Sequence, residues 1–125
     1  VEPEGSTFGE LLNREREEAP YKTEGIGTHD PDVTGLLDPD AIDDIRTVSD
    51  RDAHAEVTRL AAEEGHLVGS SSGAASVAAR EVAEEAAAGE LDLPAPAVVT
   101  VFPDGSERYL SKNIYGSFET WEGKA

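Results

Sequence analysis

Hydrophobic positions change their period along this chain, and each period predicts a different element. Ala53, Val57, Leu60 and Ala61 stand at the spacing of one helical face. Ser49 precedes them with Asp52 three residues on, a capping-box pattern with Asp in place of the usual Glu, and Gly65 follows as a left-handed stop. Leu67 and Val68 predict a short buried strand, and residues 69–72 a turn. A second helix is predicted over 73–88, with Ala74, Val77, Ala78, Val82 and Ala86 on its inner side. After a connecting loop over 91–96, residues 97–102 (Ala-Val-Val-Thr-Val-Phe) show no apolar–polar alternation. An unalternating run of this kind predicts a strand covered on both faces, and so a parallel sheet.

The first third patterns more weakly. Residues 1–6 read as the exit of a strand, and residues 8–18 as a weak helix that stops before Pro20. Residues 21–39, with Gly25, Gly27, Gly35, Pro31 and Pro39, predict irregular structure. A helical turn over 40–45 and an extended piece at Thr47 and Val48 complete the order. The class is α/β, a mostly parallel sheet flanked by helices, in one domain over 1–125.

Charge narrows the partners. Asp and Glu number 27 against 10 Lys and Arg, a formal net charge of −17, spread between the apolar positions rather than gathered in a tail. Nucleic acid and anionic membrane are excluded as expected partners, because phosphate contact needs clustered cations. Self-repulsion at this density disfavours a compact state in dilute buffer, and at ~1 M salt the screening length falls to about 3 Å. A halophilic, cytoplasmic protein is the expectation. With no cysteine there is no disulfide, thiolate metal site or thiol nucleophile.

Several residues carry candidate chemistry. Gly69 to Gly73 opens a helix, where free N–H groups suit a phosphate or carboxylate, or where Ser71 or Ser72 simply caps. It matches neither the P-loop nor the dinucleotide fingerprint. Gly25-Ile26-Gly27 either lets a flat ligand approach the backbone or permits a positive φ. His29, His54 and His66 lack metal-ligand spacing, and no Gly-x-Ser-x-Gly elbow is present.

In order along the chain stand Pro20-Tyr21-Lys22-Thr23-Glu24-Gly25-Ile26-Gly27, Val48-Ser49-Asp50, Glu63-Glu64-Gly65-His66-Leu67-Val68-Gly69-Ser70-Ser71-Ser72-Gly73-Ala74-Ala75, and residues 99–112. With that order and spacing the chain resembles the C-terminal portion of the cysteine synthase / cystathionine β-synthase family. These are pyridoxal-phosphate enzymes of the tryptophan-synthase-β fold type (fold type II), and the matched region would be part of their larger domain. The resemblance implies β-replacement on serine or an O-acetylserine-type substrate in sulfur amino-acid biosynthesis. It implies pyridoxal 5'-phosphate, a small amino-acid substrate and a homodimer for the complete enzyme. It puts Gly25, Ile26 and Gly27 beside the cofactor ring and substrate. The loop whose hydroxyl contacts the pyridine nitrogen falls at Pro103-Asp104-Gly105-Ser106, where Gly105 takes the aligned position and Ser106 follows it.

The resemblance also implies that the Schiff-base lysine lies upstream, since none of Lys22, Lys112 and Lys124 stands at its position. No catalytic residue is therefore expected in the chain, which reads as a fragment inactive alone. Cofactor binding by this piece would depend on the missing part. Residues 21–25 lean towards the cystathionine type. The alternative is a non-catalytic acidic binding domain derived from half the fold. That reading leaves a sheet edge near Val1 guarded only by Glu2, Pro3 and Glu4.

Overall fold

The computed structural model describes residues 1–30, 35, 37–92 and 97–123. Pro31, most of the expected loop at 93–96 and Lys124 lie outside the described residues. Two helices packed on one another form the centre: α1, Asp50–Arg59, and α2, Ser70–Ala87. Ser49 starts α1 as expected, its hydroxyl accepting the Asp52 N–H at 3.1 Å and donating to the Asp52 carboxylate at 2.6 Å. The helix widens into a π-turn, Leu60–Glu64, and stops at Gly65 with φ +71°. The His66 N–H closes that end on the Leu60 carbonyl at 3.0 Å.

Small residues set how closely the helices approach. Ala53, Ala74 and Ala78 are buried between them. A Cβ on Gly73 would lie 2.3 Å from the Ala53 carbonyl oxygen and 2.8 Å from Val57 Cγ2, so glycine lets the backbones touch. Val48 and Ile26 complete this cluster. The other end of α1 packs Val57 and Leu60 with Val68, Ile114 and Trp121. Buried Glu56 ties the pair with polar bonds, accepting from Ser76 Oγ at 2.7 Å and from both ends of the Arg59 fork at 2.8 and 2.9 Å.

The sheet among the described residues is one parallel pair, β1 (Glu2–Pro3) against β2 (Thr47–Val48). Glu2 N–H donates to the Arg46 carbonyl at 2.9 Å and Glu4 N–H to the Val48 carbonyl at 3.0 Å. By the strand's alternation Pro3 sits between these donors, where its missing N–H costs the ladder nothing. Glu2 is fully buried and its carboxylate accepts from Gly9 N–H at 3.2 Å and Arg16 Nε at 2.5 Å.

Four expectations are corrected. The helix over 8–18 shrinks to a 3-10 segment, Phe8–Leu12, ended by left-handed Asn13, after which the chain folds back to bring Arg16 to Glu2. The turn over 40–45 moves to Pro39–Ala41, capped by Asp38, whose carboxylate accepts the Asp40 N–H. Leu67 is 61% exposed, and only its neighbour Val68 is buried, in an antiparallel bridge to Gly105. Residues 97–102 form no strand, with Val99 88% and Val101 70% exposed. A strand exists only through its neighbours' N–H and C=O groups, and β1 and β2 pair with each other rather than with this run. Val98 and Val99 instead line an open groove of about 570 Å³ with Ala75 and Val82.

Candidate functional site

The start of α2 is the meeting point of both loops singled out in the sequence. Its N-cap is Gly69 in an extended conformation with no side-chain cap, so neither Ser71 nor Ser72 caps the helix. The serines form its first turn, begun three residues earlier than expected, and Ser70, Ser71 and Ser72 are all buried. Ser70 Oγ accepts the Glu24 N–H at 3.2 Å, which ties the Gly25 loop to this turn. From the other side, Gly69 N–H donates to the Asp104 carbonyl at 3.2 Å and Ser106 N–H to the Leu67 carbonyl at 3.1 Å. Lys112 Nζ pairs with Glu24 at 2.5 Å, linking the two loops directly.

Within Gly25-Ile26-Gly27 each residue has its own task. Gly25 has φ +88° with open space where a Cβ would point, so glycine answers the backbone conformation there. Ile26 packs against Val48, Ala53, Ala74 and Ala78, which seats the loop on the core. A Cβ on Gly27 would lie 2.7 Å from Pro3 and 2.8 Å from the Tyr21 ring, so here glycine permits close packing on β1. Ser6 and Thr7 hold the following residue: Thr28 N–H donates to Ser6 Oγ at 3.1 Å and Thr7 N–H to the Thr28 carbonyl at 2.8 Å.

Gly105 bridges Val68 with φ −87°, and Ser106 begins a 3-10 turn, Ser106–Arg108. Ser106 is buried as a residue and its hydroxyl makes no hydrogen bond among the described residues, whereas the hydroxyl that is itself buried without a partner is that of Ser72, in the first turn of α2. The carboxylate of Asp104 stands against Gly69: one oxygen would lie 2.3 Å from a Cβ there, and the other accepts from Tyr109 OH at 2.5 Å. Burial, then the bond to Asp104, pushes the Tyr109 phenol up to about 12. An anion approaching the α2 N-terminus would meet this carboxylate, so the turn is a poor phosphate cradle in this chain.

One residue that organises the loop is easily overlooked in the sequence. The Asp50 carboxylate accepts from Lys22 N–H at 2.6 Å, Thr23 N–H at 2.8 Å and Thr23 Oγ1 at 2.8 Å. In sequence Asp50 stands only within the Val48-Ser49-Asp50 motif, with no role of its own. Tyr21 and Thr23 are buried by this arrangement, and the segment runs straight into Glu24 and the Gly25 loop. The described lysines are both engaged. Lys22 Nζ donates to the Phe118 and Trp121 carbonyls at 3.1 and 2.8 Å, and Lys112 holds Glu24.

A glycine-pinned loop, a buried serine turn at a helix start and a second loop with a spare hydroxyl have close relatives elsewhere. The chain is 46% identical over 115 residues to an O-acetylserine dependent cystathionine beta-synthase of Bacillus subtilis, covering 92% of this chain and 33% of that one. It is 44% identical over 116 residues to a cysteine synthase of Helicobacter pylori, with the same coverage of each. A crystal structure of an O-acetylserine dependent cystathionine beta-synthase from Helicobacter pylori superposes with a TM-score of 0.67 at 44% identity, over 91% of this chain and 33% of that one. The chain belongs to the cysteine synthase / cystathionine β-synthase family. No protein-family model matches it. The chain spans about a third of the length of the relatives it matches. The α/β class expected from the sequence, with its parallel pairing and flanking helices, is that of this neighbour. Members of the family are pyridoxal-phosphate enzymes of sulfur amino-acid biosynthesis.

Proposed function

We propose that this chain forms one wall of a pyridoxal-phosphate site for β-replacement on serine or O-acetylserine, completed by family sequence that supplies the Schiff-base lysine. The residues present fit a wall contact and do not fit the covalent one. Lys22 and Lys112, the described lysines, have their amines bound to carbonyls and a carboxylate, whereas the Ser106 hydroxyl makes no hydrogen bond among the described residues. That unpartnered hydroxyl, on a loop fastened to the same helix start as the Gly25 loop, is the observation that carries the reading.

When bound, the cofactor supplies an electron sink for the bond-breaking at the amino acid. The chain's own part is position and electrostatics. Ser106 would donate to the pyridine nitrogen and, being neutral, would leave it unprotonated. Gly25, Ile26 and Gly27 offer main chain to the ring and substrate, held in register by Ile26 in the core and Asp50 behind them. Gly105 joins this loop to Val68 through a β-bridge. In the complete enzyme the acceptor is a thiol or sulfide, and the assembly is a cytoplasmic homodimer. Among the described residues no helix is long and apolar enough to cross a membrane. The alternative, a self-sufficient acidic binding domain over 1–125, is disfavoured by Val99 and Val101, which stand largely in solvent.

The test replaces the matching third of the Bacillus subtilis relative with this chain and compares it with the same chimaera carrying Ser106→Ala. The expected result is a bound-cofactor absorbance band whose position shifts on losing the hydroxyl, with slower turnover of O-acetylserine. An unchanged spectrum and rate in the alanine variant would remove Ser106 from the site.

A further inference from the structure

His54 lies on α1, on the side away from the Gly25 loop's cluster, and the proposed chemistry gives it no task. It is 6% exposed. Its ring stacks on Trp121 at 5.1 Å with an interplanar angle of 25°, and meets the edge of Phe118 at 5.9 Å. One side of the imidazole is bonded to the Ile114 backbone, while Nε2 is buried without a partner among the described residues. The same aromatic pair is flanked by two permanent cations. Lys22 Nζ sits 4.7 Å from the Phe118 centroid and 5.6 Å from Trp121, and the Arg51 guanidinium 4.5 Å from Phe118. The acid that acts on it from the opposing segment is Glu119, which is exposed and pairs with Arg51 at 3.6 Å.

This environment accepts a neutral imidazole and rejects a charged one. A proton on Nε2 would add a donor with nothing to receive it and a third positive charge beside Lys22 and Arg51. The group held by His54 is the segment 114–121, whose Ile114 and Trp121 are 1% and 2% exposed. That segment is not isolated from the site. Lys22 donates to its Phe118 and Trp121 carbonyls, and the Lys22 N–H in turn is one of the three donors on Asp50.

We propose that His54 is an acid-sensitive latch: neutral, it docks the 114–121 segment through Trp121; protonated, it releases that segment and, through Lys22, loosens the 21–27 wall. The direction follows from burial, which lowers the His54 pKa below its ordinary 6.5, with the nearby Lys22 charge acting the same way and the Ile114 bond opposing. Above pH 6.5 both the docked and the released forms are neutral and the latch is fully closed. As pH falls below 6.5 the released form takes the proton first, so docking weakens progressively until the docked form's own lowered pKa is passed. Glu119, held below the usual carboxylate range by a backbone bond, stays ionised through the upper part of this window.

Trp121 is the single tryptophan, so fluorescence reports this contact alone. The experiment titrates the full chain from pH 8 to pH 4 in ~2 M KCl, where charge repulsion is screened. Trp121 emission and its quenching by acrylamide are followed together with the His54 ring proton by NMR. The expected result is a red shift and a rise in quenching below pH 6.5 that coincide with the His54 titration. His54→Phe, which keeps the stacking and removes the proton site, is expected to lose the transition and stay protected to lower pH. A transition that persists in His54→Phe overturns the proposal, since His29 and His66 remain there. If the variant fails to fold, the wild-type NMR decides: a His54 proton titrating with no change at Trp121 overturns it. A Trp121 already quenched at pH 8 would also overturn it, because the latch would not be formed.

Discussion

Asp50→Ala tests the idea that the proposed site wall is held from behind by a single carboxylate. That carboxylate accepts three hydrogen bonds, two of them from the consecutive N–H groups of Lys22 and Thr23. Hydrogen bonds to a charged group contribute about 1.5–3 kcal/mol each, but three donors sharing one half-buried acceptor are not additive. Thr23 is fully buried, so its N–H and hydroxyl would be stranded without water, at about 1–3 kcal/mol. Lys22 is half-buried and its N–H can turn to solvent. Adding about 0.3–1 kcal/mol for the lost negative charge at the N-terminus of α1, the expected destabilisation is about 1–4 kcal/mol. That is a large part of a marginal total. Asp50→Asn separates the terms: it keeps one acceptor oxygen but turns an NH2 towards a donor, so it should fall between the two. Urea unfolding in ~2 M KCl reads the global effect, and amide exchange at Lys22 and Thr23 reads the local one. An alanine variant within about 0.5 kcal/mol of the wild type, with both amides still protected, would refute the reasoning.

Three further outcomes follow from the same geometry. Arg59, above all, holds the Glu56 carboxyl below its ordinary 4.5, so the α1–α2 clasp is present above pH 4.5 and is lost as pH falls through the lowered value. Glu56→Gln should therefore flatten the acid side of the stability curve, and an equally steep variant would count against the clasp. Spectrophotometric titration at alkaline pH should leave the Tyr109 phenol un-ionised until about pH 12, and Asp104→Ala should bring it down. With a net charge of −17, the chain should gain stability between dilute buffer and ~2 M KCl, where the screening length is a few Å. A flat response to KCl, measured by urea midpoint, would remove the halophilic reading.

What could be read from the sequence was whatever local pattern decides. The Ser49 cap, the Ala53–Val57–Leu60 face and the Gly65 stop depend on residues within a few turns of each other, and all three stand as expected. The positive φ offered for Gly25-Ile26-Gly27 holds at Gly25, whereas Gly27 serves packing on Pro3 and Tyr21, which no local pattern announced because those residues lie in other segments. Asp50 was not legible, because the donors it collects lie 27 and 28 residues away. His54 likewise gained its meaning only from Trp121, far along the chain. The α2 start was misplaced by three residues because serines favour turns as well as helix starts, and tertiary burial of Ser70 and Ser72 settled the competition.

The 97–102 run shows where sequence reasoning and structure part for a physical reason rather than through a misread pattern. Its apolar residues without alternation call for cover on both faces, and that demand is unchanged by the fold observed here. What the described residues offer is partial cover, Phe102 against the Val57–Leu60–Val68 cluster and Val98 at the groove with Ala75 and Val82, while Val99 and Val101 stand largely in solvent. The two-helix centre needs no such help, since Gly73 on Ala53 and Glu56 on Ser76 are contacts between segments about 20 residues apart. The relatives that the chain matches are about three times this length. The split therefore predicts two tiers of order in the chain. The α1–α2 pair with its latched 114–121 segment should protect its amides, whereas 97–102 should exchange freely until strands on either side give it partners.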